Sequence, residues 1–185
     1  MTRTPTQHFL IDEVLPQYDV SASYSTRVSA TAERIYSVLQ HGFPIGMLTR
    51  LLFKIRDIPR LIRGKTADGE VPDNPFLKLK QLENREIVVG IIGQFWRPVP
   101  QPVVLHSLED FLSFRKDGFC KAAMTLRIQE EMVGVCTVTT ETRVIGYGDG
   151  ARSRFREYWG LIGPFSGLIR KEMLRKIKKQ AEKTG

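Results

Sequence analysis

The stretch from Asp149 to about Lys183 limits what this chain can fold into more than any other. Phe155, Tyr158, Ile162, Phe165, Ile169, Met173 and Ile177 follow at steps of three or four, the spacing of one buried helical face, and Asp149 stands where such a helix is capped. Trp159, Leu161, Leu168 and Leu174 widen that face. Twelve uncharged residues, Tyr158 to Ile169, lie between Glu157 and Arg170, too few to cross a bilayer and too apolar to stand in water. The same run holds Gly160, Gly163, Pro164 and Gly167, at about 1 kcal/mol per glycine and about 3 kcal/mol for the proline relative to alanine. Such a helix does not form by itself. It needs a partner surface, and the expected partner is a sheet curved around it.

A chain of 185 residues is long enough to bury one real core, so a single domain is expected at 18–185, with 1–17 a tail or edge segment laid over it. The net charge of +8 is segmental: residues 151–185 carry ten Lys or Arg against three Asp or Glu, and residues 44–63 carry five against one. This pattern fits a footprint for an anionic surface, and it fits better the solvated faces of amphipathic helices. Aromatics interleaved with basic residues on exposed strands are missing from the sequence, so no nucleic-acid partner is expected. Cys120 and Cys136 sit in apolar strand-like runs without ligand spacing, which reads as two buried thiols in a reducing compartment. With no apolar run of signal-peptide or membrane-spanning length, a cytoplasmic location is expected.

From the N-terminal side, residues 19–27 alternate as a half-buried strand, and Thr31 caps a short helix carrying Ile35, Val38 and Leu39 that Gly42 closes. Residues 44–63 read as a second, basic amphipathic helix, either a lid on its own domain or a peripheral membrane contact. From Phe76 the period changes to two, giving strands near 77–80, 86–96, 103–105, 119–128 and 133–147, with one capped helical turn at Ser107. Strands grouped together with helices segregated argue for α+β: an antiparallel sheet around a long C-terminal helix, with two short helices between the first two strands.

That order resembles the START-like or helix-grip (SRPBCC) superfamily over about residues 18–183. The resemblance is carried by the helix start Thr31-Ala-Glu-Arg-Ile-Tyr36, by Thr139-Thr-Glu-Thr-Arg-Val144, and by Arg154-Phe-Arg-Glu-Tyr-Trp159 through Gly163-Pro-Phe-Ser-Gly-Leu-Ile169, in wording nearest to uncharacterised bacterial members. It implies a cavity between sheet and long helix that takes an apolar or amphipathic molecule, with no shared catalytic motif.

Gly146-Tyr-Gly148-Asp-Gly150-Ala151 formally satisfies the dinucleotide fingerprint, yet no strand follows to complete a βαβ unit, and the preceding strand alternates with threonines. No metal site and no cofactor are expected, because His8, His41 and His106 have no neighbours at ligand spacing. His106, beside Ser107, Glu109 and Asp110, is either a surface or capping histidine or an acid–base group. Glu141 and Arg143 share one face of their strand: outward they form a solvated pair, inward a polar anchor for a ligand. The opposite face, Cys136, Val138, Thr140, Thr142 and Val144, is more apolar and is expected inward. Trp96, Met124, Thr140, Trp159 and Phe165 are the candidate ligand contacts, with core filling as the competing role. The leading expectation is binding or carriage of a small hydrophobic molecule. Enzymatic turnover of polyketide cyclase or hydrolase type in the same cavity, using His106, Glu141 or Arg143, and lipid interaction at a membrane surface are the alternatives.

Overall fold

A computed structural model describes residues 8–42, 76–97 and 102–183. The described elements are α1 (Leu10–Val14), β1 (Val20–Val28), α2 (Ala32–Ser37), β2 (Leu77–Leu82), β3 (Glu86–Gly93), β4 (Pro102–Val103), α3 (Leu108–Ser113), β5 (Cys120–Met132), β6 (Val135–Gly146) and α4 (Asp149–Ala181). The strands form one six-stranded antiparallel sheet in the order β1-β6-β5-β3-β2, with β4 paired to β3. The α+β helix-grip arrangement is therefore present: a long C-terminal helix packed on β1, β6 and β5. Of the two early helices, α2 is in place, capped by the Thr31 hydroxyl and running on into a π-helical turn at Val38–Gly42. The basic stretch 44–63 lies outside the described residues.

Antiparallel pairing excludes the dinucleotide-binding reading of Gly146 to Ala151, which needs a parallel strand. Gly148 serves the chain turn instead: it is the N-cap of α4 at φ 78°, a left-handed conformation that glycine adopts without penalty. Asp149 lies in the first turn rather than at the cap, where its charge favours the helix dipole.

The register divides each strand between two environments. Toward α4 point Val20, Ala22, Tyr24 and Thr26 of β1, Val138, Thr140, Thr142 and Val144 of β6, and Ala122, Met124, Leu126 and Ile128 of β5. On this side Val28, Val89, Ile128, Cys136 and Val138 pack against Ile169, Met173, Leu174 and Ile177 of α4 and against Ile35, Tyr36 and Leu39. At the other end of the helix, Cys120, Val144, Ala151 and Phe155 form a separate cluster with Trp96, Tyr158 and Trp159.

The opposite face is covered by α1 and α3, whose Ile11, Val14, Leu15 and Phe111 pack on Leu79, Val88, Ile92 and Ala123. Gly90 makes this close approach workable, since a Cβ there would collide with Leu79 and come within 2.7 Å of Phe111. On this face the partly buried Arg127 lies 3.6 Å over the Phe9 ring and 3.9 Å from Glu141 Oε2, with Nε and Nη1 unbonded, whereas the three fully buried charges are each answered. Arg143 binds Asp12 and Glu141, both at 2.7 Å, and donates to the Leu15 carbonyl at 3.2 Å. Glu86 accepts from the Leu10 N–H at 2.8 Å and the Thr125 hydroxyl at 2.7 Å. Lys121 donates to the Phe111 and Leu112 carbonyls at the end of α3, at 2.9 and 3.3 Å.

Candidate functional site

Between the two apolar clusters on the helix side lies a polar seam. On β6 the helix-facing residues between Val138 and Val144 are Thr140 and Thr142; both are buried, and neither hydroxyl has a hydrogen-bond partner. On α4 the stripe Phe155, Trp159, Ile162, Ser166, Arg170, Met173, Ile177 runs at steps of three or four, so Ser166 and Arg170 occupy positions where apolar residues would continue the core. Ser166 is 3% exposed and Arg170 only 5%. The Arg170 Nη1 has no partner, and its guanidinium carbon sits 5.7 Å from the centre of the Trp159 ring. Burial pulls Arg170 down to about 10, partly opposed by the Tyr24 hydroxyl, so the group remains a cation at neutral pH.

Tyr24 links the two surfaces. It pairs with Thr140 across β1 and β6, and its hydroxyl occupies the space left by Gly167, where a Cβ would stand 2.5 Å from Oη. Of the other glycines in this helix, Gly163 faces only the helix's own Trp159, and Gly160 meets nothing within 4 Å. The missing side chain that shapes the interior is thus the one at 167. Ala122 and Leu126 keep part of their surface exposed although they lie on β5, a central strand, and point toward the helix. The helix therefore leaves part of this face of the sheet uncovered.

Of the ligand contacts expected from sequence, Met124 and Thr140 lie on the helix-facing side of β5 and β6, Met124 in the cluster with Ile169 and Met173, while Trp96 and Trp159 join Phe155 in the cluster at the start of α4. Phe165 does not reach it: it is 48% exposed and forms an outward stripe with Leu161 and Leu168. The helical period explains this, since Ser166 takes the inward position and Phe165 is rotated about 100° from it. His106 is exposed, and its backbone N–H donates to Asp110 Oδ2 at 2.9 Å as part of the α3 cap. Glu141 and Arg143 lie on the far side of the sheet and fasten α1, so they form neither a solvated pair nor a ligand anchor. None of the three acid–base candidates reaches the space under α4.

Arg170, Ser166, Thr142 and Tyr24 are the members of this seam that apolar periodicity alone does not single out. Their signal was a polar interruption of an apolar stripe. Both thiols are buried; burial and the Asp19 charge push Cys120 up to about 12, which leaves it unreactive. Among the described residues no group of three His, Cys, Asp or Glu is placed to hold a metal ion, and no helix is long and apolar enough to cross a membrane.

No family model matches the chain, and no curated protein does. Similar solved structures include norcoclaurine synthase of Thalictrum flavum, a point mutant in complex with a transition-state analogue, at 13% identity over 88% of this chain and 93% of that one, TM-score 0.42. The same enzyme in complex with dopamine and hydroxybenzaldehyde is 13% identical over 100% of this chain and 99% of that one, TM-score 0.38. A hypothetical protein of Helicobacter pylori is 10% identical over 83% and 84%, TM-score 0.35. At these values the likeness carries no argument about chemistry. The helix-grip class rests on this chain's own sheet order and terminal helix.

Proposed function

We propose that this protein binds a small amphipathic molecule between the sheet and α4, sequestering or carrying it. The observation that carries the reading is the seam: Thr140 Oγ1, Thr142 Oγ1 and Arg170 Nη1 are buried without partners between two apolar clusters. A buried polar atom left unbonded costs about 1–3 kcal/mol, a cost that a guest's polar end relieves when it bonds to such an atom. The apolar side chains of Met124 and Leu126 on the sheet and Trp159 on α4 suit the rest of such a guest.

Native mass spectrometry of the purified protein, with solvent extraction and a thermal-shift screen across fatty acids, sterols and aromatic acids, tests this. A co-purifying amphiphile, or a midpoint raised by about 5–10 °C at a hundredfold excess over Kd, is expected. A protein that carries nothing and responds to no member of the panel does not have this role.

A further inference from the structure

Resting on the binding reading above, we propose that the guest is a monocarboxylate, with its carboxylate on Arg170 and its apolar body along the sheet. Four charged residues are buried among the described ones: Glu86, Lys121, Arg143 and Arg170. The first three lie on the α1 side of the sheet, and each is answered by named hydrogen bonds or ion pairs. Arg170 alone faces the space under α4, and among the described residues no carboxylate pairs with it.

The face of Trp159 lies beside the guanidinium but gives no hydrogen bond to its bare Nη1. A carboxylate presents two oxygens in the geometry of the guanidinium fork and cancels the buried charge. One buried cation matches one negative charge, since a dianionic phosphate would leave an excess charge among apolar walls. The Thr140 and Thr142 hydroxyls, bare on the facing strand, supply further donors next to Tyr24. Lys171 stays outside this arrangement: it is exposed, with Nζ 5.8 Å from the Tyr24 ring.

The test is a calorimetric titration of the full chain with matched pairs, decanoate against decanol and 3-phenylpropanoate against 3-phenylpropanol, with decyl phosphate as a third head group. The carboxylate of at least one pair is expected to bind about 10- to 100-fold tighter than its alcohol, the effect of hydrogen bonds to a charged group. In Arg170→Met that preference falls to about twofold or less; Arg170→Gln makes the same comparison should the methionine variant not fold. Equal binding of acid and alcohol by the wild-type protein overturns the carboxylate assignment and leaves the apolar site standing, as does tighter binding of decyl phosphate than of decanoate. A preference that survives in both variants overturns the role of Arg170. Binding of no compound removes the binding reading itself.

Discussion

Replacing Arg170 by methionine is expected to make the ligand-free protein more stable. The side chain is 5% exposed, its Nη1 is unbonded, and its favourable contact is the Trp159 ring at 5.7 Å. A cation–π contact of this kind offers about 0.5–2 kcal/mol, whereas an unpaired buried ion costs several. Arginine and methionine have nearly equal helix propensity, so α4 itself is indifferent to the change. The net expectation is a gain of about 1–3 kcal/mol, the range seen when buried ions give way to apolar residues of similar size. For a chain of this length that is a rise of about 3–9 °C in the unfolding midpoint. Circular dichroism melts of both proteins, purified under denaturing conditions and refolded so that no guest remains, measure it directly. A midpoint lowered by a similar amount would show that Arg170 is a structural member of the fold, and the charge would then not be waiting for a ligand.

Two further outcomes follow from the other face of the sheet. Arg143→Met removes two ion pairs and a hydrogen bond to the Leu15 carbonyl, and is expected to cost about 2–4 kcal/mol; hydrogen exchange should quicken across residues 10–15, and an unchanged exchange pattern would refute the clamp. The same clamp holds Asp12 below its ordinary range: burial works to raise it, and the bonds from Arg143 and the Phe9 N–H outweigh that. Lys121 is pulled down to about 8 by burial and the nearby Arg115 charge, so from there up to the ordinary lysine value of 10.5 the unfolded chain binds more protons than the folded one. Stability attributable to this group therefore rises with pH in that window, by about 1 kcal/mol between about pH 8 and about pH 9.5 relative to Lys121→Met, and parallel pH profiles for the two proteins would contradict the shift.

Most of the fold could be read from periodicity. The alternation of Cys136, Val138, Thr140, Thr142 and Val144 against Thr137, Thr139, Glu141 and Arg143 identified the face of β6 that meets α4, because packing against a helix selects the more apolar side. Ser107 and Asp110 announced α3 through a capping box, a local interaction that needs no tertiary context. The site was less legible. Counting apolar residues along α4 favoured Phe165, since polar positions carry no weight in such a count; the structure turns Ser166 and Arg170 inward instead. Nor can a strand's sequence say what lies on its other side, so Glu141 and Arg143 were open to either reading until α1 was seen to cover them.

The alternation along β6 assigns two jobs to one strand. Odd-numbered residues such as Glu141 and Arg143 brace the frame, and even-numbered ones such as Thr140 and Thr142 face α4. An inserted residue between Val138 and Glu141 would turn Glu141 and Arg143 toward α4 and strip α1 of its anchor. Changes of length are therefore better tolerated at the hairpin turn, Val133 and Gly134, than within the strand.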